Sequence, residues 1–179
     1  MRLRTRDDPG FAELTSSAPP DFLDGVPSGD RSRRANRFAG GACLALRMLA
    51  ALAVLATGAV HLYEFERFYS QIPTIGTLFF LNFLGAAAIG LCLMAPVERI
   101  GGRHGSAVLV LLSVAGIALA VVAFAFLLIS EHTPLFGFQE PGYDPTGIAA
   151  ARAAEVATVL LLAAFLIGRH ALKSRMPRW

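Results

Sequence analysis

Seven side chains in this sequence could do chemistry. His61 is followed three residues later by Glu64, Asn82 stands alone in an apolar run, Glu131 and His132 are adjacent, and Arg152 precedes Glu155 by three. Imidazole and carboxylate together suit Zn²⁺ or Cu²⁺. Two histidines at helix ends on one side of a bundle could hold a haem. A histidine with a carboxylate could also relay protons or meet a quinone headgroup. The spacing favours none of these. H-x-x-E at i, i+3 arises readily by chance, and there is no H-E-x-x-H, no Gly-rich phosphate loop, no G-x-S-x-G and no nucleophile beside a base. Cys43 and Cys92 lack C-x-x-C spacing and read as small buried hydrophobes.

The elements that must position these residues are apolar. Of 179 residues, 55% are hydrophobic and 16% charged, too apolar for an ordinary soluble domain. The hydrophobic residues fall in four blocks, 42–63, 74–95, 106–129 and 148–168. Each has about 20 residues, as a helix needs to cross about 30 Å of hydrocarbon. The expected fold is therefore all-α, an integral-membrane four-helix bundle. Barrel strands of about 10 alternating residues are absent.

Charge sets the expected orientation. Arg31, Arg33, Arg34 and Arg37 precede the first block, Arg99 and Arg103 lie between the second and third, and Arg169, Lys173, Arg175 and Arg178 follow the fourth. The other connections carry Glu64, Glu66, Glu131, Glu140 and Asp144 with only Arg67. Cations mark the cytoplasmic side, so both termini are expected inside a bacterial cytoplasmic membrane. The pI of 9.3 then reflects topology, and no nucleic-acid partner is implied. The expected partners are the lipid bilayer, other membrane proteins or a second copy of the chain.

Residues 1–40 mix Pro, Ser, Gly, Asp and Arg without apolar period and read as a disordered cytoplasmic tail; 173–179 read as a short basic tail. Arg47, one turn inside the first block, is expected to snorkel to headgroups, and Thr74 to cap the second helix. Tyr63, Phe65, Phe68, Tyr69, Phe136, Phe138 and Tyr143 read as an interfacial aromatic belt. The connection 130–147, with three prolines and three glycines, reads as a structured outer loop. Arg152 and Glu155, on one face, are expected to pair, and Thr158 to extend that stripe inward.

At GAVHL (58–62), IPTIGTLF (72–79) and LFGFQE (135–140) the chain resembles a group of small, uncharacterised four-helix bacterial integral membrane proteins. The resemblance runs from about Arg47 to Gly168. It implies an inner-membrane bundle and supplies no catalytic residue. The leading expectation is a non-enzymatic accessory or partner-binding subunit. The alternative is a redox or metal-handling protein with haem or a divalent metal at His61, Glu64, His132 and Glu155.

Overall fold

The computed structural model describes residues 28–140, 142 and 144–174. The chain divides into two compact units, Met1–Arg37 and Phe38–Trp179. The site lies in the second. In order, the elements are α1 (Ser28–Glu64), a π-helical turn (Phe65–Tyr69), α2 (Pro73–Met94), the short α3 (Val97–Ile100), α4 (Gly102–His132) and α5 (Pro145–Ser174). No strand forms among the described residues, only an isolated bridge between Leu135 and Phe138. The fold is an all-α four-helix bundle, and its four long helices, Arg37–Tyr69, Pro73–Met94, Gly102–His132 and Pro145–Ser174, are each long and apolar enough to cross a membrane.

The helices outrun the apolar blocks because polar residues complete their end turns. Residues 28–40, expected in the disordered tail, are helical; alanine and arginine are good helix formers. Residues 1–27, Pro141, Tyr143 and the last five residues, including Arg175 and Arg178, lie outside the described residues. Lys173 belongs to α5. Thr74 does not cap α2: Ile72 occupies that position in extended conformation and Pro73 begins the helix.

α1 packs against α2 and α5, α2 against α4, and α4 against α5. Small residues permit this closeness. A Cβ on Gly58 would lie 3.0 Å from the Ala86 methyl, one on Gly90 2.6 Å from Leu55 Cγ, and one on Gly116 2.8 Å from Leu162 Cδ1. Ala50, Ala51, Val54, Ala86, Leu93, Leu109, Leu162 and Phe165 form the core. Leu91, Leu111, Leu160 and Ile167 are mostly exposed. A bundle apolar inside and out matches a hydrocarbon solvent.

One end of the bundle is basic. Arg47 is buried there and does not snorkel: its Nε donates to Leu93 O at 2.6 Å, Nη2 to Ala95 O, and Nη1 to Glu98 at 3.4 Å. The carbonyls that end α2 lack helical partners, and a guanidinium is well suited to cap them. Arg169 joins the same carboxylate at 2.8 Å and reaches Ser106 Oγ at 2.6 Å. Cys43 is half-buried nearby, whereas Cys92 is exposed rather than buried.

Candidate functional site

The opposite, acidic end holds a cavity of about 240 Å³. Its walls are α2 and α4, closed by the end of α1, the first turns of α5 and the loop above them. Apolar walls come from Ile75, Leu78, Phe79, Leu119, Ala123, Phe126 and Leu127, and polar groups from His61, Glu64, Tyr69, Asn82, Ser130, Glu140 and Glu155.

Each polar residue arrives by helical geometry. Asn82 is nine residues past Pro73 and Glu155 ten past Pro145, so both lie about 14–15 Å along their helices at 1.5 Å per residue. Both are buried, with Glu155 only 1% exposed. One turn deeper, Thr158 Oγ1 meets Thr57 Oγ1 at 3.2 Å and ties α5 to α1. His61 lies one turn above Thr57, with Nδ1 2.9 Å from the Thr57 carbonyl oxygen. A carbonyl only accepts, so Nδ1 carries a proton, and Nε2 turns to Glu155 Oε1 at 3.6 Å. Phe79 flanks the imidazole, with ring centroids 5.2 Å apart.

Glu64 is buried against the first turn of α5, where a Cβ on Gly147 would overlap its Oε1 and come 2.9 Å from Asp144 Oδ2. A side chain there would displace the Glu64 carboxylate from the first turn of α5. Asp144 caps α5, its Oδ1 accepting from Thr146 N and Gly147 N, both at 3.0 Å.

The roof is fastened at three points. Tyr69 donates its hydroxyl to Glu140 and stacks on Phe79 at 4.5 Å. Glu140 N donates to Ser130 O at 2.9 Å. Phe136 (φ 53°) and Gly137 (φ 82°) form a tight turn with left-handed residues at both central positions, closed by Leu135–Phe138 hydrogen bonds.

Of the seven sequence candidates, four line the cavity: His61, Glu64, Asn82 and Glu155. The other three sit at the rim. Arg152 pairs with Glu131 on α4, not with Glu155. The helix phase that buries Glu155 leaves Arg152 part-exposed, so its long side chain reaches across to the neighbouring helix. His132 is exposed and bonded to Leu128 O at 2.9 Å, turned from the cavity. The histidines therefore share no space that would seat a haem. Among the described residues no three His, Cys, Asp or Glu side chains are grouped to hold a metal.

Sequence reasoning missed Tyr69 and Glu140. Tyr69 reads as one more interfacial aromatic, and in an α-helix it would lie well off the Glu64 face. The π turn, with Ser70 N donating to Phe65 O at 2.8 Å, brings it inward. Glu140 ends the LFGFQE segment, so its signal was present.

Three buried acceptor atoms make no hydrogen bond among the described residues: Glu64 Oε1, Asn82 Oδ1 and Glu155 Oε2. Buried polar groups are almost always satisfied in folded proteins. In comparisons with known proteins, no family model matches this chain, and no curated protein or solved structure is significantly similar to it.

Proposed function

We propose that this chain is a non-enzymatic accessory protein of a bacterial cytoplasmic membrane that binds a small, largely apolar molecule in the cavity at its acidic end. Both termini lie in the cytoplasm, placing the cavity in the outer half of the bilayer. One observation carries the reading: an apolar cavity already formed within the bundle is lined by unpartnered buried acceptors, Asn82 Oδ1 and Glu155 Oε2 foremost. An apolar pocket with a few convergent polar groups is the usual form of a small-molecule site. Intramembrane ionisable residues are costly to insert and are retained where they serve a site. His61 and Glu155, 3.6 Å apart, are a buried imidazole–carboxylate pair in the cavity wall, and the preformed apolar space beside them supports binding as the function.

The test is extraction into polymer-bounded lipid discs, followed by organic extraction and mass spectrometry of what travels with the protein. A molecule at about one per chain, as a single-site pocket requires, that is lost in Ala123→Phe supports the reading. Indistinguishable extracts from the two overturn it. Visible absorbance and elemental analysis of the same discs test the haem or metal alternative. A reporter fused after Trp179 and active only outside the cytoplasm would overturn the orientation.

A further inference from the structure

Resting on that reading, we infer that the ligand is a lipophilic ammonium compound that enters sideways from the bilayer.

The first ground is charge. The cavity is lined by Glu64, Glu140 and Glu155, and among the described residues no Lys or Arg contributes to its wall. Asp144 adds a further carboxylate beside Glu64. The nearby guanidinium of Arg152 lies outside the cavity wall and binds Glu131 through Nη2, while its Nε is buried with no hydrogen bond among the described residues. Ionisable residues in the interior of a membrane protein normally pair with one another, and for Glu64 and Glu155 the described part of the cavity wall offers only the His61 imidazole, at 3.6 Å from Glu155. The unpartnered atoms on the cavity wall, Glu64 Oε1, Asn82 Oδ1 and Glu155 Oε2, are acceptors, so the molecule that satisfies them brings donors, positive charge or both.

The second ground is aromatic. Tyr69 and Phe79 stack at 4.5 Å, Phe138 meets Tyr69 edge-on at 5.7 Å, and all three line the cavity. Aromatic rings are the usual recognition surface for alkylated ammonium groups, and the ring surface left open by these mutual contacts is what a ligand in the cavity would meet. An anionic amphiphile would be repelled, and a neutral alcohol would satisfy an acceptor without balancing charge.

The third ground is access. Leu81 on α2 and Val122 on α4 line the cavity yet are 54% and 51% exposed, so it reaches the lipid-facing surface between these helices. A separate apolar cleft of about 230 Å³ lies between α4 and α5, lined by Val121, Phe124, Val156 and Leu160 among others, and it too ends on Glu155. The same buried carboxylate thus stands at the end of two apolar approaches from the bilayer, which suits a ligand with a hydrocarbon body.

The experiment measures binding of radiolabelled octyltrimethylammonium to the full chain in phosphatidylcholine discs, with empty discs subtracted and octanol and octanoate as competitors. The expected result is saturable binding to one site, at least about tenfold tighter than octanol, with octanoate inert, since a desolvated cation adds attraction to rings and carboxylate that an alcohol lacks. Glu155→Gln should weaken the ammonium by about tenfold or more and leave octanol nearly unchanged. Asn82→Asp, which adds an acid to the same wall, should tighten it, and this keeps the inference testable if Glu155→Gln fails to fold. Equal affinity for octanol and the ammonium, or no tightening in Asn82→Asp, overturns the ammonium class and leaves the binding reading standing. Absence of binding by every probe, together with indistinguishable extracts from wild type and Ala123→Phe, overturns both.

Discussion

Replacing Arg47 by methionine tests whether this intramembrane cation belongs to the fold or to the lipid headgroups. The substitution keeps an unbranched stem in place and removes three donor contacts, to Leu93 O, Ala95 O and Glu98. Ala95 O retains Val97 N at 2.8 Å, and Glu98 retains Arg169 at 2.8 Å. The loss therefore falls mainly on Leu93 O, at the buried end of α2. A hydrogen bond from a charged donor contributes about 1.5–3 kcal/mol, and a stranded buried acceptor costs a similar amount. The bridge to half-exposed Glu98 adds about 0–1 kcal/mol. Because methionine also relieves the cost of burying a guanidinium, the expected net loss is about 2–4 kcal/mol. Glu98→Gln should cost less than about 1 kcal/mol. Pulse proteolysis across an SDS titration in mixed micelles reads both differences. If Arg47→Met unfolds within about 0.5 kcal/mol of wild type, the guanidinium resides among headgroups and the capping argument is refuted.

Other expectations use the same titration. Gly90→Ala should cost about 1–3 kcal/mol by forcing Leu55 aside, while Gly168→Ala, with open space around it, should gain up to about 1 kcal/mol of helix propensity. Shifts of the same sign would contradict the packing described. Thr57→Val and Thr158→Val should each cost about 0.6 kcal/mol, with the double variant no worse than the costlier single one. Full additivity would mean that the two hydroxyls do not share a bond. Tyr69→Phe should cost about 1–3 kcal/mol by removing the donor to Glu140. It should also speed proteolytic cleavage within 133–144, and an unchanged cleavage rate would show that this bond does not hold the roof.

Hydropathy alone carried the architecture, because a backbone in hydrocarbon must satisfy its own hydrogen bonds and a long apolar run has one way to do so. It also found the residues that build the cavity, since His61, Glu64, Asn82 and Glu155 are conspicuous against such a background. What it could not show is who faces whom. Arg152 and Glu155 are neighbours on one helix, and only the rotation of α5 decides that one reaches α4 while the other faces α1. His61 and His132 both end long helices, yet one is buried and the other exposed for the same reason. Arg47 read as a snorkelling cation because the carbonyls it caps belong to another helix and leave no mark in its own surroundings. Tyr69 required knowledge of a local irregularity that composition does not encode.

That irregularity has a consequence for which changes the chain can tolerate. The π turn holds one residue more than an α-helical turn would. Deleting any one residue between Phe65 and Tyr69 would restore the regular spiral and swing the downstream chain by about 100°, the angle one helical residue subtends. Tyr69 would then leave both Phe79 and Glu140, and its carbonyl would no longer lie against Gly76, where α2 begins its first turn. The number of residues in this turn acts as a gear tooth between the first helix and everything packed after it. Substitutions here change the contacts of one side chain at a time, whereas a single insertion or deletion would disengage the roof.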